Sequence, residues 1–310
     1  MQDLPLTDSK DSPAALRRQG LAQSIPFWLC HIAAVGALFV TQSAAAWIVC
    51  GLLFVIRMFG VTAGYHRYFS HRAFKTGRVM QFLLACLAQS SLQKGVLWWA
   101  AHHRNHHKHS DGPEDVHSPV QGGFWHSHVG WIVSAEHNET DYARVHDFAK
   151  YPELRFLNRF HYLPGVVLAL VCGLTLGLPG LLIGFFVSTV LLWHSTFLIN
   201  SLAHVFGNRR YETRDDSRNN IWLALLTLGE GWHNNHHRYP AAARNGFFWW
   251  EIDMTYYGLL ALKRLRLVSD LRGVPEKILA EGRVERSEAK TSGRRHIPRT
   301  LKATSRASVS

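Results

Sequence analysis

Long uncharged stretches alternate with polar segments along this 310-residue chain. Residues 25–46 and 166–200 contain no Asp, Glu, Lys or Arg. Because charged side chains are costly in hydrocarbon, this segregation is typical of membrane-spanning helices. We predict four spans, over residues 26–41, 44–64, 163–178 and 180–203. The first and third are shorter than the roughly 20 apolar residues that cross a bilayer, so we expect parts of them at the interface.

A further apolar stretch covers residues 79–101 and contains Gln81, Gln89, Gln93 and Lys94. These polar side chains argue against a fifth span. We interpret the stretch as a helix that lies at the membrane surface or packs on the core.

The topology follows from the distribution of basic residues. The two short turns between paired spans carry no Lys or Arg, whereas the other connections are rich in them. Since positive charge accumulates on the cytoplasmic side, both termini and the two large polar segments are predicted there. The predicted fold is an all-α integral membrane protein, with four transmembrane helices in two hairpins and a cytosolic helical cap.

The predicted domain boundaries follow the same pattern. Residues 1–24 form an N-terminal cytosolic segment and residues 25–275 a single membrane domain, with its cap at 65–162 and 205–275. Residues 276–310 form a basic, disordered tail. The expected location is a bacterial inner membrane in preference to the endoplasmic reticulum.

Composition narrows the function. The net charge of +12 could indicate nucleic acid, but no nucleic-acid-binding module is recognisable, so we expect no nucleic-acid partner. The 4 cysteines form no CxxC pair, which argues against a thiolate zinc site. The 20 histidines are far more than usual.

Histidines gather in three clusters, at residues 66–71, 102–107 and 233–237. All three fall on the cytosolic side of a topology that charge alone assigned. On a helix, residues i, i+3 and i+4 share a face, so two of the clusters each present three imidazoles together. A stripe on the fourth span, comprising Trp193, Phe197, Asn200 and His204, brings a further imidazole to the same place. We interpret three other histidines as hydrogen-bonded core residues: His31, His161 and His194.

The number of imidazoles indicates the metal. Nine candidate ligands exceed one zinc site, which takes three or four, and imidazole also suits iron, copper and nickel. Nine imidazoles fill most of two five- or six-coordinate sites, for which two redox-active irons fit best. Ligating histidines need acceptors on their other nitrogen; the candidates are Asp111, Glu114, Asp115 and Glu230.

At these residues the sequence resembles the membrane fatty acyl desaturases, and most closely their acyl-CoA delta-9, stearoyl-CoA type branch. The similarity covers residues 61–240 and includes GYHRYFSHRAFK, HRNHHKHSD, GFWHSHVGW, INSLAHVFG and GEGWHNNHHRYP. It implies four spans and a cytosolic helical cap that holds a di-iron site, so that the active site is cytosolic. It also implies that Asn200 approaches one iron through water and that Gln93 and Trp99 line the bend of an acyl tunnel. The implied iron ligands are His66, His71, His103, His106, His107, His204, His233, His236 and His237.

The chain departs from this family where the animal acyl-CoA enzymes hold the CoA headgroup. Their polar and basic residues are replaced here by Lys94, Ala101, His102, Ser134 and Ala135. The acyl carrier is therefore CoA or a membrane glycerolipid.

The expected reaction is oxygen-dependent insertion of a cis double bond, of delta-9 position by resemblance, into a saturated long acyl chain. Acids and bases cannot remove hydrogen from an unactivated methylene, so the reaction needs O2 and two external electrons. No fused cytochrome domain is evident, and a separate ferredoxin, rubredoxin or cytochrome b5 type carrier is expected. We predict no catalytic residues beyond the metal ligands. The alternatives are a hydroxylase or ketolase of the same histidine-box plan and, from another class, a membrane metal transporter or sensor.

Overall fold

The computed structural model describes residues 13–283, with side chains from residue 20 onward, and is mostly helical. The two strands, β1 (Lys75–Thr76) and β2 (Val268–Ser269), pair antiparallel. Shorter helical turns cover Ala37–Phe39, Pro119–Gly122, His126–Gly130, Trp131–Val133, Tyr142–Val145, His146–Ala149 and Leu202–His204. The main helices are α1 (Pro13–Gly36), α2 (Ala44–Phe59), α3 (Arg78–Gln89), α4 (Val96–His109), α5 (Pro152–Arg159), α6 (Leu163–Pro179), α7 (Ser188–Ser201), α8 (Ile221–Leu226), α9 (His233–Arg238) and α10 (Met254–Arg264).

The first two predicted spans lie within longer helices. Helix α1 begins at Pro13, so part of the predicted N-terminal segment is helical, and its apolar stretch covers Gly20–Phe39. Helix α2 continues without a break into a π-helix over Gly60–Ser70. Together α2 and this π-helix form an apolar stretch of 27 residues. Both helices expose large apolar side chains on their outer surfaces, as lipid-facing helices do.

The third apolar stretch is helical over Leu163–His204, 42 residues, but it reverses direction at Gly177. Gly177 has φ +62°, which glycine adopts without the steric cost that a side chain imposes. A Cβ built on Gly173 would lie 3.8 Å from the Cβ of Leu181, although eight residues span about 12 Å of a straight helix. The chain therefore folds back on itself at Gly177, close to the predicted boundary between the third and fourth spans at residue 179. In the described part of the chain, three apolar helical stretches are long enough to cross a membrane, and the last of them doubles back.

The apolar stretch at residues 79–101 is two helices and not one. Helix α3 ends at Gln89 and α4 begins at Val96. The hydroxyls of Ser90 and Ser91 donate to backbone carbonyls three residues earlier, which competes with continuation of the helix. Gly95 then occupies the N-cap position of α4.

The buried core joins the apolar helices to the cap. It is largest where the π-helix packs against α3 and α4, around Tyr65, Phe69, Leu84 and Leu97. A smaller buried cluster forms around Tyr211. It includes Ile278, which lies in a helical segment over residues 276–283. The packed chain thus extends beyond the predicted start of the tail at residue 276, and residues 284–310 of that tail lie outside the described residues.

Candidate metal centre and apolar pocket

The first histidine cluster owes its geometry to the π-helix. In an α-helix, residues five apart point about 140° away from each other, but a π-helix has i→i+5 hydrogen bonds. The backbone N–H of His71 donates to the carbonyl of His66 at 3.2 Å, which closes such a turn between the two histidines. Their rings consequently lie 4.9 Å apart. The wider turn of the π-helix therefore places two histidines that are five residues apart on the same side of the helix.

The second and third clusters lie on α4 and α9, as the i, i+3, i+4 spacing predicts. Each trio faces one cavity but divides between two groups of ring nitrogens. The five-histidine group comprises His66, His71, His103, His107 and His236. The four-histidine group comprises His106, His204, His233 and His237.

Ring nitrogens in the five-histidine group are close enough to share one cation. His103 Nε2 lies 2.9 Å from His71 Nε2 and 3.0 Å from His107 Nε2. His236 Nε2 lies 2.9 Å from both His66 Nε2 and His107 Nε2. Each imidazole Nε2 has either one proton or one lone pair, so hydrogen bonds alone cannot satisfy this whole chain of contacts. A cation bound by all five lone pairs would satisfy them together.

The four-histidine group is slightly wider. His204 Nε2 lies 3.0 Å from His233 Nε2, and His106 Nε2 lies 3.4 Å from His237 Nε2. His204 occupies the short turn that follows α7, and Asn200 lies one turn earlier on α7. The predicted stripe on the fourth span therefore brings His204 to the other ligand candidates.

Four carboxylates fix ring nitrogens on the outer side of the groups. A histidine whose Nδ1 hydrogen is held by a carboxylate presents the lone pair of Nε2 inward, as a metal ligand must. The pairs, with the Nδ1 to carboxylate-oxygen distance, are His66–Glu230 (2.5 Å), His106–Asp115 (2.9 Å), His204–Asp111 (2.9 Å) and His237–Asp215 (2.6 Å).

Three of these carboxylates were among the sequence candidates. The fourth candidate, Glu114, contacts His109 instead and is largely exposed. Asp215 was missed, because it lies 18 residues before His233 in a polar segment with no helical spacing to guide the prediction. Only the folded loop brings it to His237.

Electrostatics keep most of these imidazoles neutral. Burial lowers the pKa of five of them well below the usual range, and neighbouring imidazoles lower it further. Burial alone would raise the pKa of Asp111, but the hydrogen bond and charge of His204 hold it at about 2. Neutral rings beside ionised carboxylates are the state that binds a cation. The five imidazoles are His71, His103, His107, His233 and His236.

An apolar pocket opens beside the five-histidine group. It extends from α1, between α7 and the turns at residues 126–133, to His103. Gln93, Trp99 and Asn200 all line it. Trp99 stacks on His103, with ring centroids 4.9 Å apart, so the pocket wall and the imidazole group are in direct contact.

One buried histidine of the pocket wall was not singled out from the sequence. His117 lines the pocket and contacts His106, with ring centroids 4.4 Å apart and ring planes tilted by 34°. Burial lowers its pKa to about 3. It lies alone in a loop, and no periodic pattern distinguishes it from the other histidines of the cap.

These features define a class of protein: a helical chain with apolar helices long enough to cross a membrane and two imidazole groups able to hold metal beside an apolar pocket. Residues 42–262 match the family model of fatty acid desaturase. The chain belongs to this family.

Relatives include enzymes with different acyl carriers in their names. An acyl-CoA 5-desaturase of Anemone leveillei is 37% identical over 254 residues, which cover 80% of this chain and 78% of the relative. An sn-2 palmitoyl-lipid 9-desaturase of Nostoc sp. (strain 36) is 35% identical over 245 residues, 76% and 86% of the two chains. An sn-1 stearoyl-lipid 9-desaturase of Synechocystis sp. (strain ATCC 27184 / PCC 6803 / Kazusa) is 35% identical over 264 residues, 84% and 83% of the two chains.

Proposed function

We propose that this protein is an oxygen-dependent fatty acyl desaturase that inserts a cis double bond, at the delta-9 position, into a saturated long acyl chain. The observation that carries the proposal is the position of His103, which belongs both to the five-histidine group and to the lining of the apolar pocket. A methylene pair of a chain in this pocket would lie next to the metal-binding groups. The carrier of the chain is CoA or a glycerolipid.

We propose two iron ions as the cofactor, one in each histidine group. With metal–nitrogen distances of about 2.1 Å, ligands at right angles lie about 3.0 Å apart, whereas tetrahedral ligands lie about 3.4 Å apart. The 2.9–3.0 Å separations in the five-histidine group favour a five- or six-coordinate ion over tetrahedral zinc. Bound iron would supply the activation of O2, with two electrons from a separate carrier, that removal of hydrogen from an unactivated methylene requires.

The protein's own residues would then position the reactants. The nine histidines would hold the metal ions, and Asn200 would approach one of them through water. Gln93 and Trp99 form part of the pocket wall, where the Gln93 amide donates a hydrogen bond to the hydroxyl of Thr196, another lining residue, at 3.2 Å. A dry, closely fitting pocket fixes which methylene pair reacts and keeps water from the oxidant.

Membrane insertion with four spans and a cytosolic active site completes the proposal. Two observations support the proposal: the reversal at Gly177 would divide the last apolar stretch into two crossings, and neither turn between the predicted paired spans contains Lys or Arg. Reporter fusions at residue 42 and at the C-terminus test this arrangement. We expect the first outside and the second inside the cytoplasm, and two reporters on the same side would contradict it.

Expression in a host that lacks desaturases tests the activity. We expect new unsaturated acyl chains, two hydrogens lighter than their precursors, and analysis by lipid class identifies the carrier. His236→Ala removes one ligand candidate of the five-histidine group and should abolish the product, whereas His146→Ala, at an exposed cap position, should not. Product heavier by one oxygen would indicate a hydroxylase. Unsaturated product from membrane-inserted His236→Ala would contradict the assignment.

A further inference from the structure

Three histidines outside the metal-binding groups form a continuous chain of hydrogen bonds. His31 on α1 contacts His194 on α7, with 3.1 Å between their Nε2 atoms. His194 Nδ1 lies 3.0 Å from Nε2 of His128, in the turn His126–Gly130. His128 Nδ1 lies 3.0 Å from the hydroxyl oxygen of Ser201. We call these three imidazoles the histidine relay.

The ends of the relay fix its direction. His31 Nδ1 lies 2.8 Å from the carbonyl oxygen of Phe27, which can only accept, so the His31 proton is on Nδ1. His31 Nε2 therefore accepts from His194, and His194 Nδ1 accepts from His128. The Ser201 hydroxyl lies 3.0 Å from both His128 Nδ1 and the carbonyl oxygen of Phe197, so these two acceptors share its single hydrogen. Three neutral imidazoles thus satisfy both imidazole–imidazole links with a single arrangement of tautomers.

The relay lies directly behind one wall of the apolar pocket. Phe27 and Trp193 both line the pocket and stack on each other, with centroids 5.3 Å apart and ring planes at 11°. Phe197, another lining residue, packs edge-on against His128 at 5.9 Å. The residues of the relay therefore lie on the same elements as pocket-lining residues or contact those residues directly.

Helix α1 has few other polar connections to the rest of the protein. Among the described residues, side-chain hydrogen bonds from α1 to other elements involve His31 and Gln23, which contacts Asn138. Apolar contacts in lipid tolerate sliding, because hydrocarbon solvates every exposed apolar face equally well. A directional hydrogen bond has one favourable geometry, and a separated imidazole in lipid would find no partner.

We infer that the histidine relay is a positioning device for the acyl chain: it holds α1 and the turn His126–Gly130 at a fixed spacing from α7, and so sets the register of the chain against the metal-binding groups. This inference rests on the proposed desaturase function. His194 is its central residue, because both of its ring nitrogens are used.

Product regiochemistry and substrate affinity in a desaturase-deficient host test the inference. His194→Leu removes both links, and we expect an apparent KM about tenfold higher, as loss of one to two hydrogen bonds implies, with double bonds spread over neighbouring positions. His194→Gln keeps one donor and one acceptor and should largely restore wild-type product. Iron content should stay at the wild-type value in both. His146→Leu, an exposed histidine outside the relay, is the matched control.

A second measurement needs no activity, so it separates failure of the relay from failure of the proposed function. Thermal unfolding in detergent should give the double variant His31→Leu/His194→Leu nearly the same midpoint as His194→Leu alone, because His31 has already lost its partner. If His194→Leu does not accumulate, His31→Leu and His128→Leu provide the corresponding pair. Additive losses of stability, or wild-type KM and double-bond position in His194→Leu, would overturn the inference.

Discussion

At the residue scale, the four carboxylates on the outer side of the histidine groups orient the imidazoles that they contact. Glu230 is buried and is held from three sides, by His66, by Arg67 at 3.1 Å and by the amide of Asn245 at 3.0 Å. Burial alone would raise its pKa, but the charges and hydrogen bonds of His66 and Arg67 lower it, so the carboxylate is ionised. Its charge makes the His66 ring a stronger metal ligand.

Glu230→Gln should therefore weaken metal binding without removing a ligand. The amide retains the size of the side chain but loses the negative charge behind His66, and we expect roughly 10- to 100-fold weaker metal affinity. Iron retained during titration with a chelator measures the effect. Glu114→Gln, which alters an exposed carboxylate that contacts only the periphery of the cluster, is the control. Equal iron retention by both variants would contradict this role for Glu230.

The ligand candidates were largely predictable from the sequence at this scale, because helical spacing determines which side chains share a face. The nine histidines converge, but the division of each trio between two groups was not predicted. It depends on the angle at which α4 and α9 meet the π-helix, which no single segment encodes. Asp215 was not predictable because it lies in a polar loop without helical spacing, and only the folding of that loop brings it to His237.

At the element scale, α4 depends on a cap supplied by a distant residue. Asn158 of α5 accepts hydrogen bonds at its Oδ1 from the backbone N–H groups of Leu97 and Trp98, each at 3.0 Å. These donors belong to the first turn of α4, where backbone N–H groups have no carbonyl acceptor within the helix. The close approach of the two helices requires glycine at residue 95.

Gly95→Ala should consequently destabilise the protein. A Cβ at this position would lie 2.1 Å from Asn158 Oδ1, so the cap must move, at a cost of roughly 1–3 kcal/mol. Gly77→Ala is a matched control, because Gly77 is also an extended N-cap glycine and no atom lies within 4 Å of its added Cβ. We expect the control to change stability by about 0.5 kcal/mol or less. Equal unfolding midpoints for the two variants in detergent would refute the account.

The length of the apolar stretches predicted the positions of the long apolar helices, but not the residues at which these helices begin and end. The first helix begins earlier than predicted because polar residues continue it beyond the apolar stretch. The break at residues 90–95 was missed, because its signals are only two serines and one glycine. The polar residues beside it, Gln89, Gln93 and Lys94, were interpreted as evidence against a fifth span and not as the end of a helix. The π-helix over Gly60–Ser70 was also not predicted, although the five-residue spacing of His66 and His71 matches its i→i+5 hydrogen bonds.

At the scale of the whole molecule, the histidines unite regions that lie far apart in the sequence. The four-histidine group draws on α4, the end of α7 and α9, and the five-histidine group on the π-helix, α4 and α9. With the metal ions bound, these contacts would bind the cap together as well as catalyse the reaction. Charge segregation predicted that the clusters would meet, because it assigned all of them to one side of the membrane.

The iron content of the purified protein tests the central claim most directly. We predict two iron ions per chain, retained in detergent, with His236→Ala and His233→Ala each losing iron because they remove one candidate ligand from a different group. One iron or none in active wild-type protein, or zinc in both sites, would contradict the account.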